Sequence, residues 1–117
     1  MSDDKIDSIR STSGGVIGRA RNEARGHAVF FDSSGRPQPD ALTNSEAFLG
    51  AVSSCGVTLI EGYAKETNVP LKHTTVTIEG VRPAAKQNRF AVVTMAFELT
   101  GVSQAQAESL VETYKQR

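Results

Sequence analysis

The single cysteine of this chain, Cys55, is the residue best suited to covalent chemistry. A cysteine thiolate is a strong nucleophile that peroxides oxidise stepwise, whereas the neutral thiol is far less reactive. Because a free cysteine has a pKa of about 8.5, a reactive Cys55 needs a cation nearby that stabilises the thiolate. A second interpretation stays open at this point. Cysteine is among the most often buried residue types, so Cys55 could equally fill a small space in the core.

The rest of the composition excludes several other functions. His27 and His73 stand far apart, and no His/Cys cluster has the spacing of metal ligands, so neither a metal nor another cofactor is predicted. One cysteine cannot form an internal disulfide, which favours the cytoplasm. Lys and Arg number 13, as do Asp and Glu, so no basic field predicts binding to nucleic acid or to an anionic membrane. We expect no membrane span, because no apolar run approaches about 20 residues.

Cys55 is predicted to lie on a long helix. Thr43 and Glu46 form a capping box at its start, and the segment 68–70 (Asn-Val-Pro) ends it near Thr67. On a helical wheel one apolar stripe lies within about 60°. It consists of Phe48, Val52, Cys55 and Leu59. Further apolar residues widen this stripe, so we expect a central helix that is buried on several sides.

Three glycines lie inside this helix, at Gly50, Gly56 and Gly62. Each costs about 1 kcal/mol relative to alanine. Together with neighbouring alanines and serines they indicate a close approach by another backbone. A second copy of the same helix and a sheet of the same chain are equally good partners for it.

The remaining segments predict a single domain, 1–117, with strands before and after the long helix. Residues 1–13 are polar and expected to be loose, and 25–32 reads as a strand. Segments 71–83 and 89–100 alternate in the way of an antiparallel hairpin. A second capping box, Ser103 to Gln106, opens a final helix. No glycine or proline closes that helix, which is typical of a truncated one.

These elements and their local sequences resemble the OsmC/Ohr family of osmotically inducible and organic hydroperoxide resistance proteins. The resemblance covers about Arg25 to Arg117 and rests on the segments "LTNSEAFLGAVSSCGVTL", "NVPLKHTTVTIEGVR" and "GVSQAQAESLVETYKQR". The helix from glutamate to cysteine is its most specific part. The resemblance implies an α+β fold in which antiparallel sheet wraps around a long central helix, and an intertwined homodimer.

The resemblance also implies a reaction. Many members are thiol peroxidases that reduce organic hydroperoxides and are regenerated by a dithiol reductant, without a cofactor. By position, Cys55 matches the attacking cysteine and Glu46 the assisting glutamate, while Arg25, with Arg19 second, is the candidate for the assisting arginine. The family's second cysteine would lie just past Arg117. Nine residues separate Glu46 from Cys55, so on one helix they face opposite sides and lie about 13 Å apart along the axis. If both serve one site, an arginine must bridge them or a second chain must contribute.

The leading hypothesis is thus a thiol-dependent peroxidase that uses Cys55. The alternative is a non-catalytic OsmC-like binding or partner module with a structural buried thiol and an apolar ligand at the dimer interface. A third possibility is a truncated, inactive member. From the residues alone, Glu46 is explained as a helix cap and Arg25 as a surface charge.

Overall fold

The computed structural model describes residues 4–116, which form three strands, a long helix, two strands and a second helix. In chain order these are β1 (Arg10–Ser13), β2 (Arg19–Ala24), β3 (His27–Asp32), α1 (Asn44–Glu66), β4 (His73–Val81), β5 (Val92–Thr100) and α2 (Gln104–Gln116). The α+β class is confirmed. Backbone contacts divide the chain into two units, Met1–Phe48 and Leu49–Arg117.

The first unit carries an antiparallel sheet in the order β1-β2-β3. The strand predicted at 25–32 is confirmed over His27–Asp32 as β3, whereas Arg25 and Gly26 form the turn before it. The expectation that residues 1–13 are loose was wrong for Arg10–Ser13, which pair with β2 as a strand. The reason is that "RSTS" has no apolar residue on either face, so no alternation of polar and apolar side chains marked it.

Both ends of α1 form as the sequence predicts. Glu46 Oε1 accepts the backbone N–H of Thr43 at 2.9 Å, while Thr43 Oγ1 accepts the N–H of Glu46 at 3.1 Å, which completes the capping box. At the other end Asn68 has a φ of 56°. The N–H of Val69 reaches the carbonyl of Ala64 at 2.9 Å, and the N–H of Asn68 that of Lys65 at 3.3 Å. These two bonds define a Schellman motif.

The second unit packs α1 and α2 on one face of the hairpin of β4 and β5. Its buried apolar centre is small and comprises Ile60, Tyr63, Ala64 and Leu110. The two strands pair antiparallel, as predicted, and alternate residues of β5 such as Phe97 turn towards the helices. Tyr114 of α2 stacks edge-on against Phe97, with ring centroids 5.8 Å apart. The capping box from Ser103 to Gln106 is present at the start of α2.

By length and composition alone, α1 is the one helix in 4–116 that could cross a membrane. The expectation that no segment is apolar enough therefore does not hold for α1. Its residues from Ala47 to Ile60 carry no charge, and glycine, serine and threonine lower the average hydropathy only slightly. The core helix of a water-soluble protein meets the same criterion.

Candidate thiol site

Cys55 lies near the middle of α1, and its side chain is exposed. The predicted burial of the stripe that contains it was therefore wrong for this single chain. Phe48 is 59% exposed and Leu59 41% exposed, while Val52 is half-buried. The side of α1 that is buried carries Gly56, Ile60, Tyr63 and Ala64 instead. The helix thus packs through a side turned about 100° or more away from Cys55.

The exposed side of α1 around Cys55 is uncharged. It comprises Ala51, Cys55, Leu59 and Gly62, which follow one another at spacings of three and four residues, and all four are exposed. We call this set the Cys55 stripe. The neighbouring Thr58 turns its hydroxyl to the backbone, at 3.2 Å from the carbonyl of Ser54 and 3.4 Å from that of Cys55. The thiol therefore lies on a helix surface that a partner could cover without burying a charge.

The three glycines of α1 lie in different surroundings. A Cβ atom placed on Gly56 would lie 3.5 Å from Met95 Cε, 3.6 Å from Val76 Cγ2 and 3.7 Å from Tyr114 Cζ. Gly56 therefore faces the sheet of its own chain. A Cβ atom on Gly50 or Gly62 would meet no such neighbour within 4 Å. At six-residue intervals the three positions point 120° apart, so they do not form the single smooth face expected from the sequence.

Glu46 is committed to the helix cap. Its carboxylate accepts the backbone N–H of Thr43, and its own N–H is held by the Thr43 hydroxyl. This arrangement satisfies two of the N–H groups that a helix start leaves unpaired. Glu46 and Cys55 share α1 nine positions apart, so helix geometry separates them by about 13 Å along the axis.

Arg25, the first candidate for the assisting cation, forms the tight turn between β2 and β3 together with Gly26. The φ angles are 53° at Arg25 and 81° at Gly26. Both values lie in the left-handed region that two-residue hairpin turns require, where asparagine and glycine are the usual residues. Arg25 belongs to the first unit and Cys55 to the second.

Arg19, the second candidate, is held by a buried carboxylate. Its Nε donates to Asp32 Oδ2 at 2.7 Å, and the Asp32 side chain is fully buried. Asp32 also accepts the backbone N–H groups of Ser34 and Gln38, each at 3.0 Å. The Ser34 hydroxyl beside it, the guanidinium of Arg19 and these N–H groups hold the pKa of Asp32 well below its usual range, although burial acts to raise it.

The pair of Arg19 and Asp32 was not foreseen from the sequence. The two residues are cross-strand partners in the register of β2 and β3, and β2 was not recognised as a strand. A prediction of β2 would have placed them opposite each other. Within 4–116 no group of three or more His, Cys, Asp or Glu side chains is placed to hold a metal ion.

Solved structures with the same architecture come from several bacteria. The chain is similar to an OsmC-like protein from Mycoplasma pneumoniae, with a TM-score of 0.82 at 13% identity over 97% of this chain and 83% of that one. An organic hydroperoxide resistance protein OsmC from Legionella pneumophila gives a TM-score of 0.72 at 19% identity over 96% and 83%. The organic hydroperoxide resistance protein OhrB of Bacillus subtilis gives 0.63 at 15% over 96% and 84%.

No protein-family model matches the sequence, and no curated protein sequence does either. The structural likeness covers 96–97% of the chain and so includes residues of both units. The chain therefore has the α+β fold of the OsmC and organic hydroperoxide resistance proteins.

Proposed function

We propose that this protein is a member of the OsmC/Ohr family and a thiol-dependent peroxidase that reduces organic hydroperoxides through Cys55. The observation that carries this proposal is an exposed cysteine on the long helix of a fold shared with two proteins named for organic hydroperoxide resistance. In the single chain no side chain of its own encloses the thiol, so substrate or a second copy can reach it.

In the proposed reaction the Cys55 thiolate attacks the distal oxygen of the hydroperoxide. A bond forms between sulfur and oxygen, the O–O bond breaks, and the alkoxide leaves and takes up a proton as the alcohol. The sulfur is oxidised to a sulfenic acid by two electrons, and the peroxide is reduced by two. One thiol of a dithiol then displaces water from the sulfenic acid to form a mixed disulfide. Its second thiol frees Cys55, and the reductant leaves as a disulfide.

We further propose that a second copy of the chain covers the Cys55 stripe. The stripe is uncharged, and three of its four residues, Ala51, Cys55 and Gly62, are small, so two copies of α1 can pack across it with Leu59 as the larger apolar contact. Covering it would remove water from the sulfur without burying a charge. Such a site would be completed by groups from both copies, consistent with the separation of Glu46 and Cys55 along α1.

The assisting roles of Arg25 and Glu46 belong to the same proposal. Arg25 would supply the cation that keeps the thiol ionised, because a guanidinium stays charged at any physiological pH. Glu46 would orient that guanidinium through the carboxylate oxygen that its capping bond leaves open. The bond of Arg19 to the buried Asp32 favours Arg25 over Arg19 for this role.

The alternative of a binding module with a structural thiol rested on burial of Cys55. Its exposure in this chain leaves that alternative without a supporting observation. We propose the cytoplasm as the compartment, because a peroxidase with one cysteine has to be kept reduced by other thiols.

The test is to treat the protein with cumene hydroperoxide or hydrogen peroxide and to follow Cys55 by intact mass, with a sulfenic acid trap such as dimedone. We expect trapped sulfenic acid at sub-stoichiometric cumene hydroperoxide, and none in Cys55→Ser. Arg25→Asn suits the left-handed turn and removes only the guanidinium, so it should slow oxidation of Cys55 while Arg25→Lys retains part of the rate. A Cys55 that stays reduced in excess of both peroxides would exclude the peroxidase.

A further inference from the structure

The loop that joins β4 to β5, residues 82–91, carries a local excess of positive charge. It contains Arg82, Lys86 and Arg89, and neither the loop nor the two residues on each side of it include an acid. All three cations are exposed, and none takes part in the ion pairs found within 4–116. Lys and Arg equal Asp and Glu in number over the whole chain, so the overall composition conceals this excess. Locally the loop favours an anionic partner.

The loop is held against the end of the hairpin. The N–H of Ala91, its last residue, donates to the carbonyl of Val81 at 2.8 Å. Phe90 covers Gly80 of β4, because a Cβ atom placed on Gly80 would lie only 2.5 Å from two atoms of that ring. The ring therefore occupies the space that a side chain at position 80 would need, on the face of the hairpin that carries the helices. These contacts confine the three cations to a compact segment, residues 81–92, which we call the hairpin tip.

Apolar surface adjoins the cations of the hairpin tip. Val81 and Val92 are cross-strand partners at the two ends of the loop. They lie on the face of the hairpin turned away from the helices and are 56% and 55% exposed, and residues 83–85 (Pro-Ala-Ala) are exposed as well. Glu79, on the same face two residues before Val81, is the nearest acidic residue along the chain. The hairpin tip thus combines three cations with exposed apolar side chains and has one carboxylate at its border.

We propose that the hairpin tip binds an anionic lipid surface. The cations contact the phosphate and carboxylate groups of the lipid headgroups, while the two valines reach the boundary with the acyl chains. Each cation near such a surface strengthens binding about fivefold. Single-stranded nucleic acid fits less well, because its bases stack on exposed aromatic rings, and the one aromatic residue of the loop, Phe90, lies on Gly80. This surface is independent of Cys55 and of the proposed peroxidase.

The test is cosedimentation of the protein with sucrose-loaded vesicles of phosphatidylcholine, with and without about 30 mol% phosphatidylserine. We expect binding to the anionic vesicles only, and its loss in about 0.5 M salt. Changing Arg82, Lys86 and Arg89 together to glutamine should weaken this binding about a hundredfold. The matched control makes the same change at three exposed lysines outside the hairpin tip, Lys65, Lys72 and Lys115. It should weaken binding by less than about threefold, because these charges lie away from the surface.

The apolar part of the hairpin tip is tested separately. Val81→Thr with Val92→Thr keeps β-branched residues in both strands and removes only apolar surface. It should weaken vesicle binding about threefold or more and leave any binding of poly(dT) or polyglutamate unchanged. Equal losses in the two glutamine variants would overturn the proposal, because net charge and not the hairpin tip would then decide. Tighter binding of poly(dT) or polyglutamate than of the anionic vesicles would also overturn it, since the partner would then be a nucleic acid or an acidic protein.

Discussion

The substitutions Gly56→Ala and Gly62→Ala test two different surfaces of α1, the side that faces the sheet and the exposed Cys55 stripe. Both glycines are interior helix positions, so replacing either by alanine should stabilise the helix itself by about 1 kcal/mol. They differ in what the new methyl group meets. At Gly56 it would lie 3.5–3.7 Å from Met95, Val76 and Tyr114, which is ordinary van der Waals contact. At Gly62 it would lie on the exposed Cys55 stripe with no neighbour within 4 Å in the single chain.

For Gly56→Ala we expect the free energy of unfolding to rise by about 1–2 kcal/mol, since the methyl gains up to about 0.8 kcal/mol from burial in addition to helix propensity. This gain should be the same at every protein concentration. For Gly62→Ala the result depends on what covers the stripe. If a second α1 lies there, the methyl separates two helices in close contact, and we expect the dissociation constant of the dimer to rise by about fivefold to 150-fold, a cost of about 1–3 kcal/mol.

The assay is urea denaturation over a hundredfold range of protein concentration, combined with sedimentation equilibrium of each variant. Gly56→Ala serves as the matched control, because it makes the same chemical change on the sheet-facing side. The reasoning is refuted if Gly62→Ala leaves the dissociation constant unchanged and raises the free energy of unfolding as Gly56→Ala does. The Cys55 stripe would then face solvent.

Three further predictions concern stability. Because the pKa of Asp32 is held below its usual 3.8 in the folded protein, Asp32 stabilises the fold above that pH and ceases to do so as the pH falls through the lowered value. Asp32→Asn should therefore lower the melting temperature at pH 7, with a difference from wild type that shrinks at pH 2–3. Thr43→Ala should cost about 1 kcal/mol by removing one half of the α1 capping box, measured by urea denaturation. Equal stability would show that the cap is dispensable. Because Ile60 is fully buried, Ile60→Ala should lower the free energy of unfolding by about 2–5 kcal/mol and Ile60→Val by about 0.5–1.5 kcal/mol in the same assay. Equal losses in the two variants would mean that the surrounding residues collapse into the cavity that alanine leaves.

The parts of the fold that could be predicted from sequence are those encoded within a few residues. The capping boxes at Thr43 and Ser103 formed as expected, because their side chains reach the nearest backbone groups. The end of α1 at Asn68 also formed as expected, and backbone bonds within the last turn close it. The hairpin of β4 and β5 also follows from local alternation. Similarity to the OsmC fold was predicted from the order of these elements, and solved structures confirm it.

The face of α1 that packs could not be predicted. Apolar and small residues surround this helix almost completely, so a helical wheel gives several stripes of similar hydropathy. Contacts with Met95 and Val76, which lie far along the chain, decide that Gly56 is inside and Cys55 outside. The strand β1 escaped prediction because its side chains are polar on both faces, and β2 because only small alanines alternate with its polar residues. The partner of Cys55 stays a prediction, because it depends on tertiary or subunit contacts that no local pattern encodes.

The position of the buried residues along α1 has a consequence for its motions. All four buried residues of this helix, from Gly56 to Ala64, follow Cys55 in the chain, and none precedes it. Stretches of a helix with few buried contacts open locally at a lower free energy than stretches anchored in the core. We therefore expect amide hydrogen exchange to be slow after Cys55 and faster before it. Cys55 would then lie at the boundary between the two parts of α1. Local opening that starts at the amino-terminal end of the helix would expose the thiol before it reaches the anchored residues.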